Sequence, residues 1–161
     1  MQTDAQLREV VNQVLTIEPA QREVQELENQ LSVVRQDLNA AIPAIKERNV
    51  DQMGAILNER LKPHIEQGEK RFTGEFWTTD LSKKREQVAE FERRQFDRMK
   101  DAQQHLSKLL AFDREHRDDL SDALQEERSK LVGAWDSTRE EHNKELERFP
   151  SIVDDCLDEL A

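Results

Sequence analysis

Four histidines are the residues of this sequence best suited to metal binding or acid–base chemistry. His105 and His116 are eleven residues apart, so on one helix they share a face and lie three turns from each other. That separation is roughly 16 Å along the helix axis, which is too far for both rings to bind one ion. Asp101 and Asp113 stand four and three residues before them, and such pairs are ordinary surface contacts. No Glu-x-x-His pair of the kind that builds a di-metal helical bundle occurs.

The other reactive residue types also lack the neighbours that catalysis requires. Cys156 is the one cysteine, and the carboxylates around it disfavour its thiolate form. The four glycines are scattered and form no phosphate-binding loop, and no serine lies in a nucleophile motif. We therefore expect no enzymatic activity, no metal and no cofactor.

Two groups of residues are candidates for contact with a partner. An aromatic and basic group lies within and just after residues 71–80. It consists of Phe72, Phe76, Trp77, Lys83, Lys84 and Arg85. Its aromatic rings either close the end of the helical structure or form a binding patch for a protein or an anionic membrane. An apolar group lies on one face of a short amphipathic helix predicted over 151–161 and consists of Ile152, Val153, Leu157 and Leu160. That helix is too short to be stable alone, so it must dock on this chain or on another subunit.

Composition favours a long, thin helical protein. Apolar residues make up 35% and charged residues 37%, which is polar for a globular domain but too regularly patterned for disorder. The net charge of −11 argues against nucleic acid as a partner. We see no apolar run of the length that a membrane span needs, and no secretory signal near Met1. With a single cysteine, these features predict a cytoplasmic protein.

The first helical arm, residues 1–70, carries the clearest periodic pattern. Apolar residues recur every seven positions, at Val10, Ile17, Val24, Leu31, Leu38 and Ile45. The alternate positions of the same seam are filled by Val14, Ala20, Leu27, Val34 and Ala41. This spacing is typical of a coiled coil. Pro19 and Pro43 interrupt it, and both a kinked, continuing helix and a break remain open, because the cost of a helical proline, about 3 kcal/mol, is close to the gain from burying one aliphatic side chain.

The second helical arm, residues 80–148, has no proline and one glycine, which predicts a single long helix. Its apolar residues follow an eleven-residue spacing, as in Val88, Met99 and Leu110, although Asp113 and Ser121 are polar steps in this lattice. Trp135 lies on the lattice and is expected in the core. The Phe149–Pro150 pair predicts the end of the arm, and Ser151 begins the short C-terminal helix.

Two arms of matched length joined by an aromatic turn at 71–80 predict an all-α fold, an elongated antiparallel helical hairpin or coiled coil. The alternative is a three- or four-helix bundle broken at Pro43, with helices near 3–42, 44–70 and 80–148. Net charge divides as −5 over residues 1–59, +3 over 60–100 and −9 over 101–161. The hairpin would therefore have a basic tip and an acidic stem.

These features predict a non-catalytic coiled-coil scaffold or assembly subunit. It would bind other helical proteins through its apolar seams, its tip and its C-terminal helix, as a homo-oligomer or as part of a larger assembly. The alternative is a peripheral membrane-surface or curvature-associated helical module that touches the membrane only at residues 70–85. An enzyme is the least favoured class.

Overall fold

The computed structural model describes the backbone of residues 2–73 and 82–160, and the side chains of residues 4–7, 22, 25–70 and 86–151. The described backbone is almost entirely helical and contains no strand. The all-α prediction is therefore confirmed. The helices are α1 (Gln2–Lys46), α2 (Val50–Ala55), a π-helical segment (Ile56–Leu61), α3 (Lys62–Thr73), α4 (Ser82–Glu115) and α5 (Asp122–Leu160).

Helix α1 follows the predicted heptad pattern wherever its side chains are described. The heptad positions from Leu27 onward are buried, at Leu27, Leu31, Val34, Leu38, Ala41 and Ile45. The helix runs through Pro19 and Pro43 and ends at Lys46. Burial of several aliphatic side chains on both sides of Pro43 outweighs the single backbone hydrogen bond that this proline removes.

A tight turn at residues 47–49 separates α1 from α2, a few residues beyond the break at Pro43 that the alternative bundle predicts. Arg48 has a φ of 53°, which is rare for a residue with a side chain, and it reverses the chain. The Asn49 side chain then accepts a hydrogen bond of 3.1 Å from the Gln52 N–H and caps α2. The turn residues thus end one helix and begin the next without a glycine.

The π-helical segment lies directly before Pro63. The N–H of Lys62 bonds to the carbonyl of Leu57, five residues earlier, instead of to the residue four earlier. Because Pro63 has no N–H and its ring crowds the preceding turn, a wider turn here relieves the conflict. Pro63 therefore changes the pitch of the helix without ending it.

The prediction of a single long helix over 80–148 is wrong. The structure has two helices there, α4 and α5, which are joined by a turn at 116–121. All seven residues from 113 to 119 are polar, so a helix continued through them would have no apolar face to bury. The Ser121 carbonyl accepts the first hydrogen bond of α5, 2.9 Å from the Gln125 nitrogen. The chain instead reverses, and α5 packs antiparallel on α4.

The predicted end of the second arm at Phe149–Pro150 is also corrected, because α5 continues through Pro150 to Leu160. Phe149 stacks on Phe91 of α4 with the ring centroids 5.0 Å apart, and this contact holds the helix on its partner at the point where Pro150 removes a hydrogen bond. Residues 151–160 are thus the last turns of α5 and do not form a separate helix.

The helices form an antiparallel bundle in which α1 packs on α5, α5 on α4, and the segment from α2 to α3 folds back over α1 and α4. The main core contains residues from all of these elements, among them Leu38, Met53, Leu61, Leu106 and Trp135. Trp135 is 2% exposed, which confirms its predicted place in the core. A second cluster lies toward the other end of α5 and consists of Leu27, Leu31, Val88, Phe91, Leu146 and Phe149.

Candidate functional site

A buried carboxylate links the two turns at one end of the bundle. Asp113 is fully buried, and its two oxygens accept hydrogen bonds of 2.9 and 3.1 Å from the guanidinium of Arg128. Arg48 lies 3.4 Å from the same carboxylate and donates a hydrogen bond of 2.9 Å to the carbonyl of His116. Arg128 also donates to the carbonyl of Ile45. This ion cluster therefore joins the α1–α2 turn to the α4–α5 turn.

The role of this cluster is structural. The buried carboxylate pairs with two guanidinium groups, and each guanidinium also donates a hydrogen bond to a backbone carbonyl. The expected surface pair between Asp113 and His116 is replaced: the His116 ring packs against Phe112, with centroids 4.7 Å apart. In the sequence, Asp113 is a polar residue at a position where the eleven-residue spacing predicts an apolar one. In the structure this residue is a buried ion two residues before the end of α4.

A cavity of about 230 Å³ lies between α1, α3, α4 and α5. One part of its wall is apolar, with Leu31, Val34, Phe96 and Met99. The other part is polar and is formed by Gln30, His64, Gln67, Glu92, Gln95 and His142. Three of these polar side chains, Glu92, Gln95 and His142, are buried, which is unusual in a helical core, so this cavity is the best candidate for a ligand site in the described part of the chain.

Two deeply buried side chains on the polar wall have unused hydrogen-bonding atoms. His142 is 0% exposed, and neither of its ring nitrogens has a hydrogen-bond partner among the described residues. Gln95 is 1% exposed; its amide nitrogen donates to Glu145, which fixes the orientation of the amide, and its carbonyl oxygen has no partner there. Both side chains therefore keep buried polar atoms that have no hydrogen-bond partner among the described residues.

The surroundings of His142 favour its neutral form. Burial lowers the pKa of His142 from 6.5 to about 4; Arg98 and Arg35 act in the same direction, and Glu145 opposes them. Glu145 itself pairs with Arg98. At neutral pH the ring thus has one N–H donor and one nitrogen acceptor.

Helix α3 packs closely against α4 beside the cavity. An added Cβ at Gly68 would lie 2.2 Å from a ring carbon of Phe96, so only glycine lets α3 approach α4 this closely. On the same helix, His64 lies 3.5 Å from the carboxylate of Asp37 on α1. The close approach of α3 to α4 at Gly68 and the contact between His64 and Asp37 together fix the position of α3 beside the cavity.

A second candidate site is the amino-terminal segment of α1, residues 2–21. Arg35 pairs with Glu147 at 3.8 Å and Asn39 contacts Asn143, so α1 and α5 are antiparallel in a defined register. Leu160 is thirteen residues beyond Glu147 and is level with about residue 22 of α1.

The other helices end near the same level. Phe91 stacks on Phe149, which places Ser82, the first residue of α4, level with the last turn of α5. His64 faces Asp37, which places Thr73, the last residue of α3, level with about residue 28 of α1. No described helix therefore runs beside the amino-terminal segment, which extends for about 30 Å.

This segment continues an apolar pattern. Leu7 is 65% exposed, and it is the first member of a three-then-four spacing that includes Val10, Val14 and Ile17. On the described helical backbone these positions share one face. Side chains 8–21 lie outside the described set. The backbone and the spacing together place an apolar stripe where no described helix covers it.

The partner-binding residues predicted from the sequence lie outside the described side chains. Phe76 and Trp77 fall in the undescribed segment 74–81, and Phe72 is placed only by its backbone in α3. Backbone alone is likewise described for the residues on α4 and α5, which are Lys83, Lys84, Arg85, Ile152, Val153, Leu157 and Leu160. Their predicted roles stay predictions.

Sequence reasoning missed the residues of the cavity wall. Gln95 and His142 belong to no motif, and only the packing of α4 against α5 brings them together. A weak signal existed for His142, which lies seven residues after Trp135 and four before Leu146, so it shares the apolar face of α5. A lone histidine on an apolar face indicates burial but does not reveal what it faces.

The described residues contain no cluster of three or more histidine, cysteine, aspartate or glutamate side chains placed to hold a metal ion. None of their helices is long and apolar enough to cross a membrane. Comparison with family models, with curated protein sequences and with solved structures gives no significant match for this chain.

Proposed function

We propose that this chain is a non-catalytic, cytoplasmic assembly subunit, and that it binds a second copy of itself through the amino-terminal segment of α1. The observation that carries the proposal is that α1 extends beyond the helices that pack against it. In this extension Leu7 is exposed, and it is the first residue of the apolar stripe. A helix of about twenty residues that packs against nothing is marginally stable in water. A second helix along the stripe would stabilise it by burying the apolar side chains of both.

The charges beside the stripe favour a parallel pair. With Leu7 and Val14 at position a of the heptad, the flanking e positions are Asp4, Val11 and Glu18, and the g positions are uncharged. In a parallel pair, e faces g of the other helix, so no like charges meet. In the antiparallel pair that aligns Leu7 with Ile17, Asp4 of one copy would lie beside Glu18 of the other, which is unfavourable.

The test is sedimentation equilibrium of the full chain over a wide concentration range. We expect reversible self-association, and we expect the double variant Leu7→Glu/Val14→Glu to weaken it by at least tenfold, because each substitution removes one large apolar side chain, worth about 1.5–3 kcal/mol, from the interface. The matched control is Ala5→Glu/Asn12→Glu, which adds the same charge at the same spacing on the opposite face.

Two outcomes would overturn the proposal. One is a chain that stays monomeric at every concentration. The other is equal weakening by both double variants, which would mean that added negative charge, and not loss of the apolar stripe, causes the effect. Binding to anionic vesicles by a monomeric chain would favour the membrane-surface alternative instead.

A further inference from the structure

We propose that the turn at residues 47–49 is a hinge, and that two copies of this chain exchange α1 by opening it. In the exchanged dimer, α1 of each copy takes the place of α1 in the bundle of the other copy. This contact uses the interior of the bundle, whereas the self-association proposed above uses an exposed stripe on the amino-terminal segment of α1. The two modes of association are therefore independent of each other.

The turn holds a residue with a side chain in a conformation that favours glycine. The Asn49 N–H donates to the carbonyl of Ala44 at 2.8 Å, and the Arg48 N–H donates to the carbonyl of Ile45 at 3.3 Å. These two bonds define a helix end at which the left-handed residue is usually glycine. Arg48 occupies that position with a φ of 53°, the one positive φ of a non-glycine residue in the part of the chain that the structure describes. The closed turn therefore carries backbone strain at Arg48.

The same three residues can also continue a helix. The turn sequence, Glu47-Arg48-Asn49, has neither glycine nor proline, and glutamate and arginine are good helix formers. Helix α1 ends directly before the turn and α2 begins directly after it. If residues 47–49 become helical, α1 and α2 run in one line and the φ of Arg48 returns to the favoured region. Short connections under strain are the kind that favour exchange of an element between copies.

The packing of α1 can be reproduced between two chains. Among the described residues, α1 packs on α2, the π-helical segment and α5, and its Asp37 contacts His64 of α3. All of these elements follow the turn in the sequence, so a second copy can supply each of them. In the dimer, two such bundles lie on either side of a twofold axis at the hinges, and the assembly is closed.

The ion cluster opposes opening of the hinge. The Arg48 side chain lies 3.4 Å from the carboxylate of Asp113 and donates a hydrogen bond of 2.9 Å to the carbonyl of His116. Asp113 keeps Arg128 as a partner if Arg48 moves away, so opening leaves no unpaired buried carboxylate. The side chain of Arg48 thus favours the closed turn while its backbone strain favours the open one, and this single residue sets the balance.

The exchange can be measured by a crosslink that shows whether neighbouring α1 and α5 belong to one chain. Asn39 of α1 and Asn143 of α5 are in contact, with 3.3 Å between their side-chain atoms. With Asn39→Cys and Asn143→Cys in a Cys156→Ser background, a short bis-maleimide joins the two positions within one chain in the monomer and between two chains in the exchanged dimer. The full chain is refolded from urea at a series of concentrations and diluted before crosslinking, so that only dimers already formed are captured. A dimer held by the amino-terminal segment of α1 gives single chains on denaturing electrophoresis.

With Arg48 in place, we expect covalent dimers whose fraction rises with the refolding concentration. Arg48→Ala and Arg48→Gly both remove the contacts with Asp113 and His116, but glycine accepts the closed turn without strain and weakens the open helix. Because the dimer contains two hinges, Arg48→Ala should reach half exchange at a concentration at least about a hundredfold lower than Arg48→Gly. Gln36→Gly, at an exposed position of α1 outside the turn, should leave the midpoint unchanged. Single chains alone at every concentration with Arg48 in place, or equal midpoints for the two Arg48 variants, would overturn the proposal.

Discussion

Protonation of His142 should make the fold sensitive to mild acid. The folded chain holds the pKa of His142 at about 4, whereas an exposed histidine in the unfolded chain has a pKa of 6.5. Because the folded value is the lower one, the unfolded chain takes up the proton first as the pH falls. The free energy of unfolding therefore decreases through the window between these two values and regains nothing below it.

The size of the effect follows from the two pKa values. At about 1.4 kcal/mol per pH unit, the whole window corresponds to about 3 kcal/mol. Between pH 7 and pH 5, the same linkage gives a loss of about 2 kcal/mol. That is a large share of the stability of a domain of this size, which is typically about 5–15 kcal/mol.

The assay compares urea unfolding at pH 7 and pH 5, followed by circular dichroism. His142→Gln keeps a polar side chain of similar size but cannot be protonated in this range. We expect the wild-type chain to lose about 2 kcal/mol more than this variant between the two pH values. Other groups also titrate, and the net charge of −11 is partly neutralised in acid, but these contributions are shared by both proteins and cancel in the difference.

The control is His105→Gln, which removes a half-buried histidine of α4 that does not line the cavity. Its loss of stability on acidification should match the wild type. If His142→Gln loses stability in parallel with the wild type, then His142 is not the group that couples folding to pH, and the reasoning from its burial is refuted.

The remaining predictions concern packing and the ion cluster. Gly68→Ala should destabilise the fold by about 1–3 kcal/mol, because the new methyl group overlaps the Phe96 ring. Gly133→Ala is its matched control and should stabilise by about 0.5–1 kcal/mol, since nothing lies within 4 Å of the added carbon and alanine favours helix. Asp113→Asn should cost about 3 kcal/mol, because two partly buried arginines lose their counter-charge. Chemical unfolding at pH 7 measures all three, and a stable Asp113→Asn variant or equal effects of the two alanine substitutions would contradict the packing described.

The heptad pattern of α1 was the part of the structure that spacing alone could predict. Leu31, Leu38 and Ile45 are buried because a seven-residue repeat keeps them on one face whatever the partner helix is. The pattern could not identify that partner. It is α5, together with the segment that returns through α2 and α3, and that arrangement depends on a turn at Arg48 that no sequence rule indicates.

The turn at 116–121 was missed because the absence of proline and glycine was taken to mean a continuous helix. Propensity permits a helix there, but the seven polar residues from 113 to 119 remove the apolar face that would hold it. Pro150 shows the opposite error. A proline was taken as a stop, although Leu146 and Phe149, three residues apart on one face of α5, pack into the second cluster and hold the helix in place. In both cases burial, and not local propensity, decided the outcome.

Charge and geometry together make the proposed assembly testable by salt. In a parallel pair joined along residues 2–21, both bundles lie on the same side of the junction, and residues 101–161 alone carry a net charge of −9 in each copy. The two negatively charged bundles repel each other over the Debye length, which shrinks from about 30 Å at 0.01 M salt to about 10 Å at 0.1 M. Since the contact itself is apolar, added salt should strengthen self-association. Contact between the basic segment at residues 70–85 and an anionic membrane would weaken under the same change, so the sign of the salt dependence separates the two functions.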